Sequence, residues 1–520
     1  MSSYKRNAYI YSTIVAMGGF VFGLDAALIS GTVDFISQEF GLNEIQLGMV
    51  VGAPAAGVLL ALFFAGFACD ILGRKRTLQI IATLYVVSAV GSTLAPDYIS
   101  LLSFRFLGGL AFTSISLASM YIGEIAPPAL RGKMVTMIQI NIVIGLSGAY
   151  FINYLILQWG ASDAAWVADF GFDKHTWRWM LGSEIIPAII WLGLLFMVPR
   201  SPTWLFFKGR EEDAKKTLLK LMPVDKIEAH MEEMKESIDD SEGRSILAQF
   251  KGIFRKEYRV IFIVAITLAI AQQTSGINAI LFYAPTVFEQ IGLGKNAAFM
   301  QAIWTGLTGL IFTVFGLLLV DRLGRRPMIL GGMLWIVISL GIAFYGFNTA
   351  TYTLTKDAIS EITEIENPER LNNMIDVEYG SDIELKRALI ESIGKEEARE
   401  HSSLLIQKSA KINAILILIG ILSFIAAFHF SVGPVMWVLF SEIFPTSIRG
   451  IAIPFFTLIT STTSWLIQTF FPTQLSSFGI SNTLLFYAVT VFIGMVVLSK
   501  YLVETKGLSI EEIQQKLQKK

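Results

Sequence analysis

Two groups of residues in this chain sit where hydrocarbon would not tolerate them bare. The first is Gln272-Gln273-Thr274-Ser275-Gly276-Ile277-Asn278, followed by Tyr283-Ala284-Pro285, inside an apolar run from about 260 to 291. Carboxamides are costly in hydrocarbon unless something hydrogen-bonds them. Several at mid-depth of a membrane-length segment point to a polar cavity or a ligand. Hydrogen bonds to neighbouring helices are the plainer use of the same side chains. Gly276 and Pro285 also let the segment bend or unwind there. The second is Asp25, midway along the first long apolar run. A carboxylate at that depth costs about 2.5–3.5 kcal/mol on insertion scales, so it either pairs with a cation or holds a proton. Arg105, in Arg-Phe-Leu-Gly-Gly, is the available cation. A pair that forms when Asp25 is ionised, and frees Arg105 when Asp25 is protonated, would couple proton binding to movement. A static buried ion pair is the other reading.

The elements that must position these groups are membrane helices. The chain has 520 residues, 53% hydrophobic and only 16% charged, where soluble domains carry about 25% charged residues. The charges gather in short clusters between uncharged runs. Twelve runs are candidate spans, near 8–36, 43–69, 77–95, 98–124, 131–158, 178–199, 258–291, 297–320, 327–348, 411–441, 450–471 and 482–503, since a crossing takes about 20 residues. Two charged segments interrupt them. The first, about 200–257, reads as short amphipathic helices, and the second, about 349–410, is rich in Glu. Bases near span ends set orientation. Arg74-Lys75-Arg76, Arg131, Lys133, Arg322, Arg325, Arg326 and Arg449 share one side with both termini. Both termini are therefore expected in the cytoplasm and 349–410 outside.

Composition also excludes. A net charge of -1 implies no nucleic-acid partner. Cys69 is the one cysteine, so no intrachain disulfide forms. The four histidines have no metal-ligand spacing and no glycine loop suits a phosphate. No metal, cofactor or enzyme chemistry is expected.

An internal repeat divides the chain. Asp70-Ile-Leu-Gly-Arg-Lys recurs as Asp321-Arg-Leu-Gly-Arg-Arg, and Glu124…Arg131-Gly recurs as Glu442…Arg449-Gly. The second motif is displaced further than the first by roughly the length of the acidic segment. That segment thus reads as an insertion into one copy of a six-helix repeat. The expected organisation is a six-helix bundle over 1–199, a cytoplasmic linker over 200–257 and a second bundle over 258–520 carrying the insert. Such halves place a cavity between them near the midplane.

Gly18-Gly-Phe-Val-Phe-Gly-Leu-Asp25, the two Asp-x-x-Gly-Arg loops, Gln272-Gln273…Gly276-Ile-Asn278, Tyr283-Ala-Pro, Ser441-Glu-Ile-Phe-Pro and Glu504-Thr-Lys-Gly occur in this order. With them the chain resembles the sugar porter family of the major facilitator superfamily, over nearly all its length except the insert. Asp25 brings it nearest to the bacterial sugar–proton symporters, because facilitators carry a neutral residue there.

The resemblance implies an all-α membrane protein of twelve transmembrane helices in two pseudo-symmetric six-helix bundles. It implies import of a monosaccharide or related polyol by alternating access, with proton coupling at Asp25 and Arg105. Sugar binding falls to Phe22, Gln139, Gln272, Gln273, Asn278 and Tyr283. Asp70, Arg74, Glu124, Arg131, Glu184, Asp321, Arg325, Glu442 and Arg449 would form inter-half salt bridges that close a cytoplasmic gate when the transporter faces outward. The positive-inside bias explains the bases of that set and not the acids. Leu146, Gly309, Ser461 and Phe282 depart from the symporter pattern, as does Arg200 after the sixth span. His429, Trp437, Thr462 and Trp465 could refill the space beside Gly309 and Ser461. The insert is expected to be a solvated spacer, with a cap or a docking surface as the alternatives. Sugar, protons and lipid are the expected partners of a monomer in the cell inner membrane. A facilitator without coupling and a membrane sugar sensor are the rival functions.

Overall fold

The computed structural model describes residues 3–127, 130–239, 246–356, 359, 368–508 and 510–518. All twelve expected spans fall on helix. In the first half these are Ser3–Leu28 with the turn Ile29–Gly31, Glu44–Leu72, Arg74–Thr93, Tyr98–Ala111 with Ser114–Ile125, Arg131–Gly160, and Thr176–Gly182 with Ile185–Leu194. In the second half they are Arg259–Thr274 with Ile277–Phe282 and Ala284–Glu289, Lys295–Leu323, Arg325–Asn348, Ala414–Phe430 with Val432–Ile443, and Thr446–Tyr501. Among the described residues, nine segments are long and apolar enough to cross a membrane. The Thr446–Tyr501 helix has 56 residues, about 84 Å at 1.5 Å per residue, far beyond a hydrocarbon core of about 30 Å. Gly479 interrupts it with φ 75° and ψ 166°, a conformation open to glycine and strained for other residues. The break separates the eleventh span from the twelfth.

The fold turns apolar side chains outward and polar ones inward. Phe63, Phe67 and Ile415 are 68%, 70% and 72% exposed, as suits a surface wetted by lipid. Asp25, Arg105, Glu184, Gln272 and His429 are buried. Glycines bring helices into backbone contact. A Cβ at Gly23 would fall 1.9 Å from the Ile142 carbonyl oxygen, and one at Gly145 would fall 2.1 Å from that of Phe20. The first and fifth spans therefore lie side by side, with Phe22 and Gln139 at about the same depth.

Several spans break midway. The interruptions are at Phe112–Thr113, Ser183–Glu184, Ser275–Gly276 and Ser431. The described residues of 200–257 include the short helices Pro202–Phe207, Glu211–Leu218 and Ile227–Asp239.

The insert is not a solvated spacer. It holds three short strands, β1 (Thr351–Thr353), β2 (Glu378–Tyr379) and β3 (Ala410–Lys411), in the order β2-β1-β3. Among its described residues are also a 3-10 helix, Pro368–Met374, and two α-helices, Asp382–Ile393 and Lys395–Ser409. Leu385, Leu389 and Ile393 recur every fourth residue and are buried with Tyr352, Leu354 and Leu371 in a core separate from that of the membrane helices. That stripe is one face of a helix, and the β pairing gives it something to pack on. The insert rests on the second half, where Asp382 and Ile383 meet Gly479 and Ala410 meets Gly292.

Candidate functional site

The first polar cluster gathers around Asp25. Arg105 Nη1 donates to Asp25 Oδ1, joining the first span to the fourth. The two side chains are 6% and 3% exposed. Glu184 is buried in the same cluster, close enough to interact electrostatically with Asp25 and Arg105. The Tyr85 hydroxyl stands 2.8 Å from Glu184 Oε2 and 3.1 Å from the Val21 carbonyl oxygen. This corrects the assignment of Glu184 to the gate. The break at Ser183–Glu184 sets its carboxyl deep inside the first half, away from the basic end of the spans. Two carboxyls beside one guanidinium, sealed from water, cannot both ionise cheaply. The arrangement is therefore one that holds a proton. Asp25 Oδ2 and Arg105 Nε have no hydrogen-bond partner among the described residues, so the pair is incompletely satisfied and free to rearrange.

The second cluster is built on the broken seventh span. Gly276 takes φ +80°, with the Tyr487 ring packed where a Cβ would lie. The helix restarts at Ile277, and the step brings Asn278 back beside Gln273. Gln273 Nε2 donates to Gln272 Oε1 (3.0 Å), and Asn278 Nδ2 donates to Gln273 Oε1 (2.8 Å) and to Ser464 Oγ (2.8 Å). Gln468 Nε2 donates to Ser464 Oγ at 2.7 Å. The carboxamides thus form one chain that reaches the eleventh span. Ser464 and Gln468 were missed in the sequence, although they lie one helical turn apart in an apolar run. Gln139 is half-buried and makes no hydrogen bond to another described residue. Phe22 packs edge-on against Phe112, with centroids 4.6 Å apart. Neither is hydrogen-bonded to the carboxamide chain. Tyr283 is turned into the protein, its hydroxyl donating to the Gln468 carbonyl (3.2 Å) and its ring against Phe471.

The charges at the basic end pair within each half. Arg74 binds Glu124 (2.9 Å) and Asp70 (3.6 Å), all in the first half. Arg325 binds Glu442 (2.8 Å) and Asp321 (3.0 Å), all in the second. None of these six charges bridges the halves. Arg449 donates to the Phe444 carbonyl instead of pairing with Glu442, and Arg131 is exposed, with no ion pair to a described residue. Neighbouring hydroxyls complete each trio. Ser201 donates to Glu124 and Thr505 donates to Glu442. Glu504 adds a cap, accepting from the backbone of Arg325, Arg326, Thr505 and Lys506. Partial burial pushes its carboxyl up, and the four N–H donors outweigh that and hold its pKa below the usual carboxylate value. The Glu504-Thr-Lys-Gly motif was visible in the sequence, but its capping role was not.

Contacts between halves gather at the insert end. The Tyr150 hydroxyl donates to the Leu281 carbonyl (2.6 Å), and the Gln158 carboxamide donates to Asn296. The Lys295 ammonium sits 3.7 Å over the Phe35 ring, and Gly48 lies against the Thr469 backbone. With those contacts made and the basic-end charges paired only within their own halves, the conformation is closed at the insert end.

These features define a multi-pass membrane transporter with the all-α major facilitator fold. The family described as "Sugar (and other) transporter" matches residues 11–363 and 401–517, and the chain belongs to it. The D-xylose-proton symporter of Escherichia coli (strain K12) is 30% identical, over 99% of this chain and 97% of that protein. The arabinose-proton symporter of Bacillus subtilis (strain 168) is 29% identical, over 97% and 94%. Among solved structures, the inward open conformation of the xylose transporter XylE from E. coli superposes with a TM-score of 0.73 at 27% identity, covering 97% of this chain and 98% of that one.

Proposed function

We propose that this chain imports a monosaccharide or related polyol together with protons, by alternating access between halves 1–199 and 258–520. The observation that carries this reading is the sealed Asp25–Arg105–Glu184 cluster in a member of this family, since a facilitator has no need of two buried carboxyls. Both termini and the basic end face the cytoplasm, the insert faces outward, and the protein works in the cell inner membrane as a monomer. The conformation is then inward-facing.

The cycle follows from the groups present. Asp25 takes a proton from outside and lets go of Arg105. Sugar hydroxyls exchange bonds with Gln272, Gln273 and Asn278, and Gln139 offers an amide from the first half. Phe22 supplies an apolar face for the ring's C–H side. Tyr283 supports the break of the seventh span from behind. In the outward-facing state the Arg74 and Arg325 trios approach each other and close the basic end. In the inward-facing state each trio is satisfied within its own half.

Uptake by proteoliposomes, with a panel of sugars and polyols and an imposed pH gradient, tests this. Concentrative uptake that needs the gradient is expected. Uptake indifferent to the gradient would leave a facilitator, and binding without any flux would leave a sensor.

A further inference from the structure

We infer that the cavity between the insert and the second half is a binding site for a neutral polyhydroxylated molecule, held by Asp382 of the insert and by Asn348 and Ser481 beneath it. The inference rests on the transport reading above for its orientation, which puts the insert outside. The cavity has a volume of about 100 Å³ and lies where the helix Asp382–Ile393 meets the end of the ninth span and the break at Gly479. No residue of the carboxamide chain lines it. The family match stops at residue 363 and resumes at 401, so Gly380–Ile383, which form one wall, lie outside it.

Docking of the insert leaves polar groups over. Asp382 is 5% exposed. Lys386 Nζ stands 3.2 Å from its Oδ2, and no other hydrogen bond to that carboxylate forms among the described residues. Its Oδ1 lies 3.0 Å from the Cβ that Gly479 lacks. Ser481 Oγ, two residues after the break, is buried with no hydrogen-bond partner among the described residues. Such an atom is costly unless a ligand or water satisfies it. The Asn348 amide is exposed at the end of the ninth span, and it too makes no hydrogen bond to a described residue.

The ligand class follows from charge and shape. Asp382 is the one charged side chain among the described residues that line the cavity, and Lys386 neutralises it, so an ion of either sign gains little there. What remains is a set of donors and acceptors beside the rings of Phe347 and Phe478. A hydroxyl donates to a carboxylate and accepts from an amide, and the C–H face of a sugar or polyol lies against an aromatic ring. One water takes about 10–15 Å³ of such space, so the cavity has room for several waters or for a small polyol or sugar ring.

The test is thiol labelling. The native cysteine, Cys69, is buried, so Asn482→Cys at the exposed rim supplies the reporter. The full chain in right-side-out vesicles is treated with a membrane-impermeant maleimide in the presence of glycerol, D-xylose, D-glucose or maltose. A probe at about ten times its Kd should slow labelling about tenfold. Adding Ser481→Ala should move the protection curve about tenfold to higher concentration, the factor for one good hydrogen bond, and leave uptake KM unchanged. Asn348→Leu should do the same if Ser481→Ala does not fold. Adding Asn278→Ala should raise uptake KM and leave the protection curve in place. Protection by a transported sugar would support the site as a second place for substrate, and protection by a probe that shows no flux would support it as a site for a separate polyol. Labelling that no probe slows would overturn the inference and leave the cavity to water. So would a protection curve that moves with Asn278→Ala and not with Ser481→Ala, because the protecting site would then be the central one. Protection without flux of any sugar would overturn the transport reading and leave this site standing.

Discussion

Proton stoichiometry is where the acid cluster commits itself. Asp25, Glu184 and Arg105 are neutral together when one carboxyl is protonated and the other faces the guanidinium. One added proton discharges Asp25 and frees Arg105, and no further carboxyl is found in the cluster among the described residues. The cycle should therefore carry one proton per sugar. A pH difference of one unit is worth about 1.4 kcal/mol per proton, so with the membrane potential clamped at zero accumulation is limited to about tenfold. Two protons would permit about a hundredfold on the same scale. The assay is steady-state sugar accumulation in potential-clamped proteoliposomes at a series of imposed pH differences. The logarithm of accumulation should rise with pH difference at a slope of one in the native chain. Asp25→Asn, which imitates the protonated carboxyl, should give a slope of zero and keep sugar counterflow. A native slope near two, or an undiminished slope in Asp25→Asn, would refute the reasoning.

Glu184→Gln should keep the slope of one, because the amide stands in for a carboxyl that stays protonated. Glu184→Ala should lower stability by about 0.5–1.5 kcal/mol through loss of one Tyr85 hydrogen bond, the hydroxyl keeping its bond to the Val21 carbonyl, read as thermal unfolding in detergent. Asn278→Ala removes an amide that exchanges its bonds to Gln273 and Ser464 for bonds to sugar hydroxyls, and at about 1 kcal/mol for each of one or two such bonds it should raise sugar KM roughly five- to thirtyfold. Tyr150→Phe removes an inter-half hydrogen bond at the closed end worth about 1 kcal/mol, and should shift the population about fivefold toward the outward-facing state. Spin labels across the insert end would report that shift, and an unchanged distance distribution would refute it. Glu504 has its folded pKa below the usual 4.5, so its stabilisation is present above that pH and is lost as pH falls through the folded value. Glu504→Gln should weaken the acid-side fall in thermal stability that this residue contributes, measured by melting over a pH series.

The misreadings have one origin. Glu184 was grouped with the gate because it closes a run of family-like residues, and sequence order carries no depth. The helix break that sinks it beside Tyr85 exists only when six spans pack together. Arg74 and Arg325 are expected to reach across the halves only in the outward-facing state, and here each pairs within its own half. Which partner they take depends on which end of the molecule is closed, and that is a property of the conformation. The insert's Leu385, Leu389 and Ile393 already showed helical spacing. What they pack against, a sheet that pairs Tyr352 with Tyr379 and Thr351 with Lys411, could not be read locally.

Hydropathy alone determined that the chain crosses a membrane many times, because about twenty apolar residues have few other stable homes. The repeated loop motifs determined where the halves divide, and Asp25 and Gln272–Asn278 announced the polar interior, because such groups are too costly in lipid to be incidental. Tertiary structure decided the partners. Glu184 joins Asp25, Ser464 and Gln468 extend the carboxamide chain, and His429 takes the place that Gly309 leaves open. Hydrogen bonds and ion pairs act over about 3 Å, and those distances exist only once helices far apart in the sequence are brought side by side.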